Sequence, residues 1–163
     1  YFGENKDKLE IMVGDLLREK GKNIATAESC TGGYIAHLLT SVPGSSAYYE
    51  GSFITYSYDL KSEMLGVDKQ TIYDKGAVSE EVVLQMAEGV RKHMNVDYAI
   101  AVSGIAGPDG GTEEKPVGTV WMALATPEGV EAKKFLFGRM RMNNIRYTAI
   151  TALNWLRKEL LAN

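Results

Sequence analysis

Across residues 6–20, Leu9, Met12, Val13, Leu16 and Leu17 recur at helical spacing with charges between them, and Gly21 closes the run. One apolar stripe on a charged background predicts a surface helix with a single buried face. Residues 24–28 predict a first strand, and the apolar spacing that begins at Tyr34 fits a helix packed on a sheet and running to about Thr40. Pro43 and Gly44 punctuate a loop over 41–46. Tyr48, Tyr49, Phe53, Ile54, Thr55 and Tyr56 predict a strand that begins near Gly51 and reaches Tyr58. Residues 59–65 form a short helix stopped by Gly66, and a helical patch over 69–74 ends at Gly76. Ser79 caps a longer helix that carries Glu80 and Glu81 in its first turn and turns Val82, Val83, Met86, Ala87 and Val90 inward. Residues 97–102 are almost continuously apolar, the pattern of a strand covered on both faces. The last third reads as a hairpin, 117–125 and 130–137 around Pro127-Glu128-Gly129, followed by a long helix over 142–161.

Composition narrows this picture. At 163 residues and 45% hydrophobic the chain supports one domain with a substantial core, and no repeat or linker divides it. Eighteen basic against 21 acidic residues give a net charge of -3, which disfavours nucleic acid as the main partner. Lys133, Lys134, Arg139, Arg141 and Arg146 still supply enough cations for a small anionic ligand. The single cysteine excludes an internal disulfide, and two histidines far apart give no metal cluster. With no long apolar run and no basic-then-apolar leader, the expectation is a cytoplasmic protein without a membrane partner.

Two stretches fit neither helix nor strand. Thr26-Ala27-Glu28-Ser29-Cys30-Thr31-Gly32-Gly33 is a strand-to-helix junction. Ser29 and Thr31 place hydroxyls there, the glycines let backbone approach a ligand, and free amides of the next helix suit an anion or an oxyanion. An N-cap with a glycine turn explains the same residues. Cys30 reads either as a packing residue or as a nucleophile in competition with Ser29. Residues 103–116 hold four glycines and two prolines, too many for a regular element and too long a stretch for a simple turn. Its place after a core strand favours a ligand loop over a structural one. It is not a phosphate loop of the Gly-Lys-Ser type, since Thr112-Glu113 follow Gly111, and no helix opens behind it as a dinucleotide fingerprint needs. Lys61, early in its short helix, reads by itself as solvated surface. His37 and His93 need no more than helix-surface and helix-end roles.

Glu28 to Gly33, Thr55-Tyr56-Ser57 with Lys61 and Leu65-Gly66-Val67, Gly76-Ala77-Val78-Ser79, and above all 103–121 resemble the C-terminal domain of the competence/damage-inducible protein family, which also occurs as a stand-alone nicotinamide mononucleotide deamidase. The resemblance spans about 9–161. It implies a three-layer α/β/α sandwich with a mixed β-sheet, and hydrolysis of the mononucleotide's carboxamide to nicotinate mononucleotide and ammonia without a cofactor or metal. It places the nucleophile on Ser29, the lysine on Lys61 and the active-site tyrosine on Tyr56. The expected substrate contacts are Thr31, Gly32, Gly33, Ser103, Gly104, Gly107, Gly110, Gly111, Thr112, Arg141 and Arg146, with the phosphate held by glycine-loop amides, by a hydroxyl such as Thr112, or by Arg141 or Arg146, and the family implies a homo-oligomer. A lysine whose pKa is lowered by desolvation can serve as the base for serine without histidine.

Two departures from the pattern stand out. Tyr58 replaces the usual Asn, and Gly138-Arg139-Met140-Arg141 replaces a Gly-Asp-Arg-like run. Tyr1-Phe2-Gly3-Glu4 resembles the link before this domain in two-domain members, so the expectation is either an excised C-terminal portion or a stand-alone enzyme lacking its first residues. The rival functional readings are a nucleotide-binding or regulatory module without useful turnover, and a purely structural interaction domain.

Overall fold

The computed structural model describes residues 8–163. The opening link and the first residues of the expected first helix lie outside the described residues. The elements run α1 (Leu9–Lys20), β1 (Ile24–Glu28), α2 (Tyr34–Thr40), a 3-10 turn (Ser45–Ala47), β2 (Tyr49–Ile54), α3 (Tyr58–Leu65), α4 (Lys69–Lys75), α5 (Glu80–Met94), β3 (Tyr98–Gly104), β4 (Thr119–Thr126), β5 (Gly129–Leu136) and α6 (Arg141–Ala162). The five strands form one sheet in the order β2-β1-β3-β4-β5. β1 is parallel to both β2 and β3, whereas β4 and β5 are antiparallel to their neighbours, so the sheet is mixed.

The two faces of the sheet differ in side-chain size. One carries Ile24, Tyr98, Ile100, Val102, Val120, Met122 and Leu124 against α1, α2 and α6. The other presents Ala25, Ala27, Ala99, Ala101, Ala123 and Ala125 to α5, which supplies Val82, Val83, Met86, Ala87 and Val90 and crosses every strand. The bulk there is on the helix, so a row of methyl groups suffices on the sheet. On the first face the fully buried Leu153, Leu156 and Leu160 of α6 contribute about 2 kcal/mol each through apolar transfer. Helices on both faces make the fold a three-layer α/β/α sandwich.

Helix starts follow the local chemistry. The Ser57, Asp68 and Ser79 side chains accept hydrogen bonds from the amides of Leu60, Thr71 and Val82 and so cap α3, α4 and α5. Two expected boundaries move. β2 stops at Ile54 rather than reaching Tyr58, because Tyr58 opens α3 and the carbonyls of Thr55 and Tyr56 turn to a side chain instead of a strand. β3 runs on to Gly104, since Ser103 and Gly104 pair with Trp121 and Val120. Since β1 and β3 are parallel neighbours, the segments that follow them leave the sheet side by side.

Candidate active site

The turn after β1 is shaped by its glycines. Gly32 and Gly33 have φ of 59° and 101°, and a Cβ on Gly33 would lie 2.9 Å from Ile54 Cδ1. The Gly32 amide donates to Ser29 O at 3.0 Å, and the Tyr34 amide to Thr31 O at 3.1 Å. The turn is held from beneath by Glu28, which is fully buried. Its Oε1 accepts from Thr31 Oγ1 at 2.6 Å and the Ile35 amide at 3.0 Å, and its Oε2 from Thr26 Oγ1 at 3.0 Å and the Ala36 amide at 2.8 Å. The helix amides expected to be free for an anion are therefore occupied by the chain's own carboxylate. Among the described residues, the amides of Ser29, Thr31 and Gly33 make no hydrogen bond to a protein acceptor, and that of Cys30 reaches only its own thiol. They remain available to a ligand oxygen.

Lys61 lies on the inner side of α3, only 1% exposed, although its sequence position suggested surface. Its Nζ is 2.9 Å from Ser29 Oγ, 2.7 Å from Thr55 O and 3.2 Å from Tyr56 O. Burial pushes its pKa down to about 8, against a smaller opposing pull from Cys30. In the neutral amine two N–H groups satisfy the two carbonyls, and the lone pair is left facing the Ser29 hydroxyl. That is the arrangement a general base needs, at hydrogen-bond distance and with its pKa moved toward neutrality. Burial also pushes the Cys30 thiol up to about 12, so the serine is the nucleophile candidate of the two. Both histidines are exposed, His37 stacked on Tyr34 and His93 edge-on to Phe53, and neither belongs to this cluster.

Tyr56 is 59% exposed and enters the site in two ways. Its carbonyl accepts from Lys61, and its hydroxyl accepts from Arg141 Nη2 at 3.1 Å. Arg141 Nη1 donates to Gly107 O at 2.6 Å, so one guanidinium joins the start of α6, the segment after β2 and the glycine loop. The loop over 105–118 is ordered. Gly107 has φ of 89°, and a Cβ there would lie 2.4 Å from Val117 Cγ1. The buried Asn144 side chain donates to Ala106 O at 2.9 Å and Gly138 O at 3.0 Å and accepts from the Gly138 amide at 3.0 Å. Pro108, Gly110, Gly111, Thr112, Val117 and Arg139 bound a cleft of about 590 Å³. Ser29 and Lys61 are not part of its lining, and the Arg141 bridge runs from the site to Gly107 beside it.

The structure thus brings together Ser29, Lys61, Tyr56, Gly107 and Arg141, with Thr31, Gly32 and Gly33 in the same turn. The Thr31 hydroxyl is committed to Glu28, which leaves its amide as the donor without a protein acceptor. Ser103 is a buried strand residue and not a loop residue, and Gly104 shares that strand. Gly110, Gly111 and Thr112 lie along the cleft, while exposed Arg146 has no hydrogen bond or ion pair among the described residues. Tyr58 is 62% exposed on the first turn of α3, so its bulk fills no buried pocket. Glu28 and Asn144 carry roles that residue types did not suggest. The signal for Glu28 was an acid in a fully buried strand whose other polar residue is Thr26, and Asn144 had none.

The fold is thus a mixed α/β/α sandwich with a buried serine–lysine contact just beyond the end of β1. The chain belongs to the CinA C-terminal domain family, whose match covers residues 6–160. A CinA-like protein of Cytophaga hutchinsonii is 52% identical over 98% of this chain, and the chain spans 38% of that relative's length. The nicotinamide-nucleotide amidohydrolase PncC of Escherichia coli K12 is 53% identical over 122 residues, 75% of this chain and 74% of that protein. Among solved structures, a CinA-superfamily protein of Klebsiella pneumoniae superposes with a TM-score of 0.92 at 32% identity, covering 98% of this chain and 100% of that one. A competence/damage-inducible protein of Agrobacterium tumefaciens gives 0.87 at 41% identity, over 91% and 93%. No described helix is long and apolar enough to cross a membrane.

Proposed function

We propose that the domain hydrolyses the carboxamide of nicotinamide mononucleotide, giving nicotinate mononucleotide and ammonia. The observation that carries this reading is the 2.9 Å approach of a desolvated Lys61 amine to Ser29 Oγ, in a chain 53% identical over 122 residues to an enzyme named as a nicotinamide-nucleotide amidohydrolase. Ser29 Oγ attacks the carboxamide carbon as Lys61 Nζ takes its proton. The carbonyl π electrons move to oxygen, and the Cys30 and Thr31 amides receive the oxyanion, each good donor contributing about 3 kcal/mol. The tetrahedral centre collapses, its C–N bond breaks, and the leaving nitrogen takes a proton from Lys61 to depart as ammonia. The Tyr56 hydroxyl, oriented by Arg141, is a second proton source at that point. Water then attacks the ester with Lys61 again as base, which restores the Ser29 hydroxyl and releases the acid.

The 5'-phosphate falls to the glycine cleft. Gly110 and Gly111 bring backbone close, Thr112 adds a hydroxyl, and Arg139 on the cleft wall and Arg141 at its edge add positive charge. Exposed Tyr73, Leu136, Met140 and Met142 supply apolar surface that self-association would cover. The second reading is a nucleotide-binding or regulatory module without useful turnover. Saturable binding of the mononucleotide with no product at high protein concentration identifies that case.

The test is ammonia release from the mononucleotide, the dinucleotide and free nicotinamide without added metal. The mononucleotide is the expected substrate, and Ser29→Ala is expected to lower kcat by about 10⁴-fold or more. Wild-type rates in Ser29→Ala overturn the mechanism.

A further inference from the structure

Glu28 is not accounted for by the reaction just described. Its carboxylate is fully buried, yet four donors converge on it, two hydroxyls and two backbone amides, and none carries a positive charge. A buried carboxylate is tolerated only when its lone pairs are satisfied, and here both oxygens receive two hydrogen bonds each. A carboxylate can only accept, which fixes the proton order around it. Thr26 donates to Glu28, so Thr26 accepts from Ser52, and Ser52 in turn accepts from the Tyr49 hydroxyl at 2.6 Å. This polar chain runs from β2, where Ser52 pairs in register with Thr26, to the base of the turn that carries Ser29.

Helix capping alone explains the bonds to Ile35 and Ala36 at the start of α2. It does not require the bond to Thr31, two residues from Ser29, or the chain to Tyr49. By occupying the Ile35 and Ala36 amides, Glu28 also denies the start of α2 to an external anion. Among the described residues, the turn amides without a backbone acceptor are then those of Ser29, Cys30, Thr31 and Gly33.

We propose that Glu28 is a positioning residue for the hydrolysis: it clamps Thr31 and the start of α2 so that Ser29 faces Lys61 while the Cys30 and Thr31 amides face the developing oxyanion. This rests on the reading of Ser29 as the nucleophile. Glu28 touches no reacting atom, and a carboxamide substrate would meet only the turn that Glu28 shapes.

The experiment uses Thr31→Val, Thr31→Ser and Glu28→Gln, with steady-state ammonia release from the mononucleotide and the rate at which a sulfonyl fluoride labels Ser29, read by mass spectrometry. Thr31→Val is expected to lose about ten- to a hundredfold in kcat with KM within about twofold, and Ser29 labelling is expected to slow in parallel. Thr31→Ser, which keeps the hydroxyl, is expected to restore at least about half of both rates. In Glu28→Gln the amide group meets donors in either orientation, so the loss is larger. Its pH–rate midpoint is expected to stay at about 8, because burial sets the Lys61 value. Should Glu28→Gln fail to fold, the Thr31 pair carries the test. Wild-type kcat and labelling in Thr31→Val, or a loss confined to KM, overturn the proposal. If the wild-type protein releases no ammonia but labelling still slows in Thr31→Val and recovers in Thr31→Ser, the amidase reading fails and the role of Glu28 stands. A wild-type Ser29 that neither turns over nor labels overturns both.

Discussion

The Ser29 turn and the glycine loop leave neighbouring parallel strands at the same end of the sheet, yet they are held by opposite means. The turn is set by buried ionisable groups, Glu28 beneath it and Lys61 beside it. The loop is set by neutral contacts, namely the Asn144 amide on two carbonyls and the absence of a side chain at Gly107, with Arg141 latching one carbonyl from outside. Buried charge costs stability, and here it is concentrated where the proposed mechanism moves a proton. Where only backbone donors must be presented, packing without charge is enough.

The largest expected effect breaks the charged side of this contrast. Lys61→Met is expected to lower kcat by about 10³-fold or more in the ammonia assay, since the base is gone. Its stability signature has a definite sign. The folded Lys61 loses its proton at about 8 and the unfolded one at 10.5, so between those values the unfolded chain binds the extra proton and wild-type stability rises with pH. The benefit is complete above the upper value and lost as pH falls through the lower one. Against Lys61→Met, the wild-type unfolding free energy is therefore expected to gain about 3 kcal/mol across that window, measured by urea titration at several pH values. A difference independent of pH would show that Lys61 is not desolvated.

An intermediate effect tests the neutral side. Asn144→Ala removes three hydrogen bonds and leaves the buried Ala106 carbonyl unsatisfied, which costs about 2–3 kcal/mol and lowers the melting temperature by roughly 5–10 °C. KM for the mononucleotide is expected to rise about tenfold as the cleft loosens, with Ser29 labelling unchanged. If labelling slows as much as binding weakens, the two regions are not separable. The smallest effect belongs to the latch. Arg141→Gln is expected to raise KM several-fold, to change kcat by less than about threefold, and to leave the melting temperature nearly constant because its contacts are partly solvated.

The elements were legible in the sequence wherever the chain alternates between periods. The Ser79 cap, the apolar stripe of α5, the hairpin and the long last helix all follow from local spacing and capping chemistry. The site was legible only in pieces. Ser29 stood out because a hydroxyl sat before paired glycines, but Lys61 lies 32 residues away and looked like solvated surface. No local pattern says that α3 will bury it, since its partners are backbone carbonyls, which every residue possesses. The family resemblance supplied that pair, and the 2.9 Å contact gives it a geometry. Residue type misled at Thr31, whose hydroxyl turns inward to Glu28, and at Ser103, which the pairing with Trp121 draws into a strand. Arg141 and Arg146 were indistinguishable as cations, and only the fold sets one against Gly107 and Tyr56.

The position of β2 at the rim of the sheet has a kinetic consequence. Ser29 follows β1, which is paired on both sides, whereas the carbonyls that hold Lys61 follow β2, which has a neighbour on one side only. Rim strands take part in partial opening at lower free energy than strands inside the ladder. On the proposed mechanism, warming is therefore expected to part Ser29 from Lys61 before the core melts. Ammonia release is then expected to fall off at a lower temperature than the fold melts.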